Sequence, residues 1–360
     1  MPQVQRLLEE LSNAYGPSGF EGPVRAIMQR ELSPLCDHLE TDGMGSLIGR
    51  LTGRAEGPRI MMSAHMDEVG LMVKFVTPEG FVRIQPLGGV LDQALINQPW
   101  AIVTRKGVVY GVTGIKTVHV MSPEARMQVF KREQMFIDVG ASSKEDAEER
   151  LGISPGDPIA PDTRFAVMNG SKLYLGKAWD DRVGLGVMAE VVRNLKGSAP
   201  PNVVYAVSTV QEEIGLRGAH TSAFKVEPDI GINLEAGVAS DFPGITDDEA
   251  QEKLGKGPGL FLHDSTMLPN LKLRDLTSDI AKEKGIPLQV TVLAGYGQDG
   301  SEIQRARGGV PTVNISVPTR YLHSHYGVIS RDDFDGAVAL VTELVRRLDA
   351  DTVQRLKSFD

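Results

Sequence analysis

Five short clusters of acidic and imidazole side chains are spread along the chain, and their residue types are those of a hydrolytic metal site. They are His65-Met66-Asp67, Trp179-Asp180-Asp181-Arg182, Gln211-Glu212-Glu213, Leu234-Glu235 and Tyr321-Leu322-His323-Ser324-His325. A pair of catalytic cations about 3.5–4 Å apart needs one carboxylate to bridge them and a few terminal ligands on each side. Two histidines and three carboxylates suffice, and they leave room for a bridging water. His-x-Asp is the local pattern of a ligand and its support, in which the carboxylate takes the second ring N–H and fixes the tautomer. Adjacent Glu212 and Glu213 offer two tasks, one on metal and one free to take a proton from water. The sole cysteine, Cys36, joins none of these clusters, so a structural thiolate zinc site is excluded.

Each cluster alone also has an ordinary reading. His65 could be structural. Asp180-Asp181-Arg182 could be the charged first turn of a helix, where acids favour the dipole. Glu212-Glu213 could be a solvated loop, and His323 and His325 packing or surface residues. Glu235 is harder to dismiss, because it follows an apolar run in Ile-Asn-Leu-Glu-Ala-Gly. The combination and its order carry the weight. His38, His119 and His220 read as structural.

These clusters must be positioned by something, and the pattern around them supplies it. Leu7, Leu8 and Leu11 have helical spacing, as do Val24, Ile27 and Met28 within Glu21–Leu32. The first sixty residues therefore read as helix, turn, helix and then a strand, Arg59–Ala64, ending at His65. From Gly70 to Leu175 short β-rich pieces (Leu71–Val76, Phe81–Ile84, Ala101–Val103, Val108–Val112) alternate with Gly, Pro and Asn turns, interrupted by an acidic helical patch at Ser143–Arg150. From Lys177 the texture is α/β. Arg182–Leu195 is a helix, Asn202–Val210 and Ile230–Leu234 are strands, Ser301–Arg307 is helical, Pro311–Val317 a strand and Asp332–Leu348 an amphipathic helix. This predicts an α/β fold, a mostly parallel mixed sheet with helices on both faces, interrupted by a small β module. The expected division is 1–69 plus 176–360 for the α/β domain and 70–175 for the insert. The clusters then fall just past strand ends, where open α/β sheets bind ligands.

Composition narrows the class. The 360 residues are 41% hydrophobic and 24% charged, an ordinary globular balance that rules out disordered and collagen-like chains. A net charge of −9 lacks the basic field that nucleic acid or an anionic membrane surface requires. No apolar run approaches the roughly 20 residues of a membrane span, and residues 1–15 lack a signal-peptide core. A single cysteine points to a reducing compartment, so the expected location is the cytoplasm.

With these motifs in view, the chain resembles the TET-type dinuclear metallo-aminopeptidases of peptidase family forty-two. Ser63-Ala-His-Met-Asp-Glu-Val-Gly70, Ala178-Trp-Asp-Asp-Arg182, Gln211-Glu-Glu-Ile-Gly-Leu-Arg-Gly-Ala219, Glu235 and Arg320-Tyr-Leu-His-Ser324 carry the likeness, which spans essentially the whole chain. The resemblance implies a Zn-peptidase-like fold with an inserted small β-barrel, PDZ-like, that mediates dimerisation. It implies two divalent metal ions per subunit, Zn or Co first and Mn also compatible. His65 would be a terminal ligand oriented by Asp67, Asp180 the bridging carboxylate with a cis bond to Asp181, and Glu213 and Glu235 terminal ligands of different metals. His323 would complete the second metal, and Glu212 would be the general base toward the bridging water. The implied activity is release of N-terminal residues from short peptides, by dimers assembled into hollow tetrahedral dodecamers. The alternatives on the same site are a deacylase or amidohydrolase acting on N-acylated small substrates, and a non-catalytic relative. Chains of this kind have also been described as endoglucanases, but a glycosidase carboxylate pair has no need of the histidines. Two departures stand out. Glu235 fills a position that is often Asp, and after His323 the chain reads Ser-His-Tyr-Gly-Val where Pro and an acid are frequent, so His325 is expected at the rim or in packing. His263-Asp264 is read as a loop near the substrate pocket, and Asp299, in Gly297-Gln-Asp-Gly-Ser301, as a pocket residue.

Overall fold

The computed structural model describes residues 3–54 and 57–358. Among these residues, seventeen strands and nine α-helices follow in chain order. The helices α1 (Gln3–Asn13) and α2 (Gly22–Leu32) lead into β1 (His38–Thr41), β2 (Leu47–Thr52) and β3 (Arg59–His65). Next come β4 (Gly70–Val76), β5 (Val82–Leu87), β6 (Pro99–Thr104), β7 (Gly107–Gly114), the short α3 (Pro123–Arg126), β8 (Phe136–Asp138) and β9 (Pro158–Pro161). The return comprises β10 (Ala166–Val167), β11 (Leu173–Gly176), α4 (Trp179–Leu195), β12 (Val203–Thr209), α5 (Arg217–Val226), β13 (Ile230–Val238) and β14 (Gly259–Asp264). The last part holds α6 (Leu271–Lys284), β15 (Gln289–Leu293), α7 (Gly300–Gln304), β16 (Thr312–Arg320), β17 (Gly327–Ser330), α8 (Arg331–Arg347) and α9 (Ala350–Lys357).

Eleven strands form one sheet with the main order β1-β2-β12-β3-β13-β16-β17-β11-β10, and β14 and β15 branch from β16. The centre is parallel, β12 to β3 to β13 to β16. The flanking pairs β1–β2, β2–β12, β16–β17, β17–β11 and β11–β10 are antiparallel. The mixed sheet is as the sequence predicts, with more antiparallel pairing at its flanks than strand–helix alternation implies. Side chains along β3 alternate between two cores, as a period of two requires. Ile60, Met62 and Ala64 enter the large core with Leu185, Met188 and Phe334 from α4 and α8. Met61 enters a smaller core with Ala223, Val226 and Ile303 from α5 and α7. Helices therefore cover both faces. At its N-terminus α6 is capped by Asn270, whose side chain accepts from the Leu273 N–H at 2.9 Å, and it ends on Gly285 in the left-handed region.

Residues 70–161 close into a six-stranded barrel, β4-β5-β8-β7-β6-β9. Leu71, Val73, Trp100, Ile102, Ile137 and Ile159 fill its interior. The acidic patch is a single π-helical turn, Asp146–Arg150, closed by the Asp146–Arg150 ion pair. The chain rejoins the large sheet at β10, so the return begins near residue 166 rather than at 176. The hairpin β1–β2 is absent from the helix-turn-helix-strand expectation for the first sixty residues. Gly49, Arg50 and Thr52 dilute the apolar signal of β2, and the hairpin turn is held by the Asp42 carboxylate, which accepts from the N–H groups of Met44, Gly45 and Ser46 at 2.9, 2.8 and 3.0 Å.

Candidate metal centre

The parallel register brings the first two side chains together. Thr209 on β12 is level with His65 on β3, and Ser63 is level with Asn233 on β13. Two residues further along, Glu235 therefore comes level with His65 at neighbouring-strand distance. Glu235 lies inside β13 rather than past its end, because β16 continues alongside it to Arg320 while β3 stops at His65.

His65 is fully buried, and its Nε2 sits 2.9 Å from Asp180 Oδ1, 3.7 Å from Glu235 Oε1 and 3.9 Å from Glu212 Oε2. Its Nδ1 lies 3.1 Å from the Asp67 carbonyl oxygen and 3.4 Å from the Asp67 carboxylate. The residue that supports the ring is the expected one, but the backbone carbonyl is the nearer partner. That frees the Asp67 carboxylate for a task the sequence did not reveal. It accepts from Ser18 Oγ at 2.6 Å and from the N–H groups of Glu212 and Glu213 at 3.0 and 3.2 Å, fixing the turn that carries both glutamates.

Asp180 opens α4, and its peptide bond to Asp181 is cis. Its second oxygen, Oδ2, is 3.2 Å from His323 Nε2, so one carboxylate stands between two imidazoles. His323 Nε2 is also 3.4 Å from Glu213 Oε2. Asp181 points elsewhere, accepting from the His65 and Gly184 N–H groups at 3.1 and 3.0 Å. It braces the end of β3 and the first turn of α4.

Two sets of three converge here. His65, Asp180 and Glu235 form one, Asp180, Glu213 and His323 the other, and within each set the donor atoms lie within 4.8 Å of one another. The electrostatics are those of an excess of buried negative charge. Burial, helped by neighbouring carboxylates and opposed by His65 and His323, pushes Glu212 and Glu235 well above the usual range and Glu213 up to about 8. Glu213 Oε1 is buried without a hydrogen-bond partner. Divalent cations fit such a donor set of imidazoles and carboxylates, which suits Zn, Co or Mn. A cavity of about 280 Å³ opens onto the two sets, with Leu216 and Gly295-Tyr296-Gly297 forming its wall.

Other expectations resolve differently. Asp264 does not reach the cavity. Its carboxylate accepts from Thr266, Met267 and Gln298 at 2.7–2.8 Å and caps a turn, with His263 before it on β14. His325 packs as expected. Its ring stands edge-on to Trp100 at 4.3 Å, its Nε2 meets the Pro99 carbonyl at 3.0 Å, and burial lowers it to about 4, so it is neutral. Asp299 is buried, accepts from Thr209 Oγ1 and does not line the cavity; Tyr296 and Leu216, which do, carried no signal beyond the glycines around Tyr296.

The profile of the M42 glutamyl aminopeptidase family matches residues 45–340. The chain is 35% identical to a lysyl aminopeptidase of Pyrococcus furiosus over 95% of its own length and 96% of that protein. A TET aminopeptidase from a marine-sediment Thaumarchaeota archaeon superposes with a TM-score of 0.96 at 41% identity, covering 99% of both chains. The TET1 peptidase of Pyrococcus horikoshii, which can assemble into a tetrahedron or a large octahedral shell, superposes with a TM-score of 0.86 at 31% identity, covering 96% of this chain and all of the other. With most of its length matched by the family profile and its fold shared throughout, the chain belongs to the M42 aminopeptidases, hydrolases of the exopeptidase class.

Proposed function

We propose that this aminopeptidase releases N-terminal residues from short peptides at a two-cation site, with His65, Asp180 and Glu235 holding one ion and Asp180, Glu213 and His323 the other. The single observation that carries this reading is the Asp180 carboxylate, one oxygen on each histidine, shared between two donor sets that leave a buried Glu213 oxygen unpartnered. When bound, zinc or cobalt, or manganese in their place, would polarise the scissile carbonyl and acidify water. Glu212 then acts as general base. It takes a proton from the attacking water and delivers it to the departing amine as the C–N bond breaks, giving a free amino acid and a shortened peptide. Asp67 keeps Glu212 in place by holding its N–H.

The division of labour follows the topology, with catalysis on the large sheet and self-association through the barrel insert of 70–161. Tyr110 and Val112 on β7, with Val118, Val120, Met127 and Val129 beyond it, are exposed apolar side chains, a surface of the kind that subunit contacts cover. Assembly of dimers into a dodecamer predicts a solution mass of about twelve subunits, as in tetrahedral particles of this class; a mass of one or two subunits would refute it. Among the described residues no helix is long and apolar enough to cross a membrane. With the single cysteine, this supports action in the cytoplasm.

The test is amino-acid release from unblocked and N-acetylated short peptides by metal-loaded and chelated protein. Cleavage of the unblocked set alone, lost on chelation and restored by Zn or Co, is the expected result. Cleavage of the acetylated set alone would make the protein a deacylase, and silence with two bound ions a non-catalytic relative.

A further inference from the structure

Each residue of the 211–213 turn has its N–H held by a carboxylate from a distant part of the chain. Asp67 accepts from Glu212 with Oδ1 and from Glu213 with Oδ2, and Glu21 Oε1 accepts from Gln211 at 3.2 Å. Gln211 has a φ of 56°, a left-handed conformation that a residue with a Cβ keeps only where its surroundings enforce it. Successive N–H groups at such a turn make an anion-binding concavity, and here the anions are the chain's own side chains. On the opposite side, the Gly215 and Leu216 N–H groups close on the Glu212 carbonyl at 2.9 and 2.8 Å.

Two of the three holds lead back to the segment between α1 and α2. Ser18 Oγ donates at 2.6 Å to Asp67 Oδ2, the oxygen that also takes the Glu213 N–H. Glu21 stands at the head of α2, where a side-chain acceptor ordinarily caps the helix, yet it makes no capping bond. Its Oε1 accepts instead from the Gly19 N–H at 2.7 Å and from Gln211, 190 residues away. Both side chains are buried. At its start the segment is fixed as well. The Gly16 N–H donates to Glu68 Oε1 at 2.9 Å, and the Gly16 carbonyl accepts from the Glu68 N–H at 3.1 Å. Lys177 Nζ in turn holds Glu68 at 2.7 Å. Residues 16–21 therefore run from a fixed buried charge to the turn that carries both glutamates.

We propose that residues 16–21 brace the base of the reaction, with Glu21 and Ser18 as positioning residues that hold the Glu212 main chain and so aim its carboxylate at the attacking water. The inference deepens the reading of Glu212 as general base and rests on it. Loosening the turn should fall on Glu212 more than on Glu213, whose side chain would keep a bound cation as a second anchor. A misplacement of about 1 Å at a reacting group costs on the order of 100-fold in rate.

The experiment compares Glu21→Ala, Glu21→Gln, Ser18→Ala and Glu212→Gln, all metal-loaded, on one unblocked tripeptide. Glu21→Ala should lower kcat by about 10–100-fold, with KM and metal per chain unchanged. Glu21→Gln keeps an accepting oxygen and should lie within about 5-fold of the unsubstituted protein, the margin between a charged and a neutral acceptor. Ser18→Ala should lower kcat by about 3–10-fold, since Asp67 keeps both N–H groups and loses one donor. Hydrogen exchange of the chelated proteins reads the brace without turnover: residues 211–216 should exchange faster in Glu21→Ala, while β12 keeps its protection. If Glu21→Ala does not fold, Ser18→Ala, which removes only a hydroxyl, carries the same test. Unchanged kcat in the alanine variants beside an inactive Glu212→Gln would overturn the brace alone. Equal losses in Glu21→Ala and Glu21→Gln would assign the effect to charge rather than to the held N–H and overturn it too. Metal lost in step with kcat would make the segment a support of Glu213, again against the proposal. Full turnover by Glu212→Gln would instead overturn the base, and this inference with it.

Discussion

Two clusters of buried charge are neighbours along the chain and are built in opposite ways. In the first, Glu68 receives Lys177 Nζ on both oxygens at 2.7 Å, Arg182 Nη2 at 3.3 Å and the Gly16 N–H at 2.9 Å. Lys177 also donates to the Ala14 carbonyl at 2.7 Å, and Arg182 Nη1 to the Leu11 carbonyl at 2.7 Å. In the second, one residue from Glu68 and two from Arg182, carboxylates outnumber their partners and one oxygen has none. Both are buried and both contain ionisable groups. The first satisfies both oxygens of its one carboxylate within the chain, against two cations of which Arg182 Nε has no partner, and ties the N-terminal segment to the ends of β3 and β11. The second has the opposite sign, a surplus of carboxylates around two imidazoles. The sign of the surplus and the convergence of its donor atoms, more than burial or pKa displacement, distinguish the two.

That contrast can be broken by substitution, and the largest effect belongs to the proposed base. Glu212→Gln should lower kcat by about 10²–10⁴-fold, the range for loss of a positioned general base, while bound metal per chain is unchanged. Turnover near that of the unsubstituted protein would remove Glu212 from the reaction. Next comes His323→Ala. It should leave roughly one firmly held ion per chain, because one donor set keeps all three ligands while the other keeps two. Unchanged stoichiometry by elemental analysis would show that His323 is not a ligand. On the paired side, Glu68→Gln should cost stability instead, about 3–5 kcal/mol in urea unfolding of the chelated protein, since it strands two buried cations. A loss of metal with little change in stability would reverse the roles assigned to the two clusters.

The order of the elements and the identity of the side chains that converge at the candidate site were legible in the sequence because both depend on local patterns. His65 ends an apolar run, Glu212 follows another, and strand–helix alternation from Lys177 onward dictates the sheet. What was not legible depends on register and on long-range partners. Glu235 reads as lying past a strand end, yet it sits within β13, because only the alignment of β13 with β16 extends that strand to Val238. The Asp67 carboxylate reads as the histidine's partner, and its hold on the 212–213 turn arises from a chain crossing 145 residues away. Lys177 and Glu68 look like ordinary surface charges in sequence, since nothing local shows that they meet in the interior. The β1–β2 hairpin was hidden by a glycine and polar residues in an edge region, where pairing with β12 outweighs weak propensity.

A third buried carboxylate makes the smallest test of the same principle. Glu252 is fully buried, with Oε1 accepting from Ser316 Oγ at 2.6 Å and Oε2 unpartnered. It occupies the space where residues 237 and 259 have no side chain, since a Cβ there would lie 1.9 and 2.1 Å from its oxygens. Unlike Glu213 it belongs to neither of the donor sets that converge among the described residues, and protonation is its own way of removing the charge. Burial, countered by Ser316 and reinforced by Asp333, pushes it from 4.5 up to about 8. Between those two pH values the folded chain keeps a proton that the unfolded chain has released. Its contribution to stability is therefore complete below about pH 4.5, falls as pH rises, and is lost by about pH 8. Glu252→Gln cannot ionise, so its stability relative to the unsubstituted protein should climb from pH 5 to pH 8 by about 3–4 kcal/mol, as the displacement from 4.5 to about 8 requires, and level off above that. Unfolding midpoints of the two chelated proteins measured in parallel across that interval decide it. Curves that diverge with rising pH place the charge of Glu252 in the fold's own balance, whereas parallel curves, in protein stripped of cations, would mean that a donor within the chain already satisfies it and that its burial carries no charge cost.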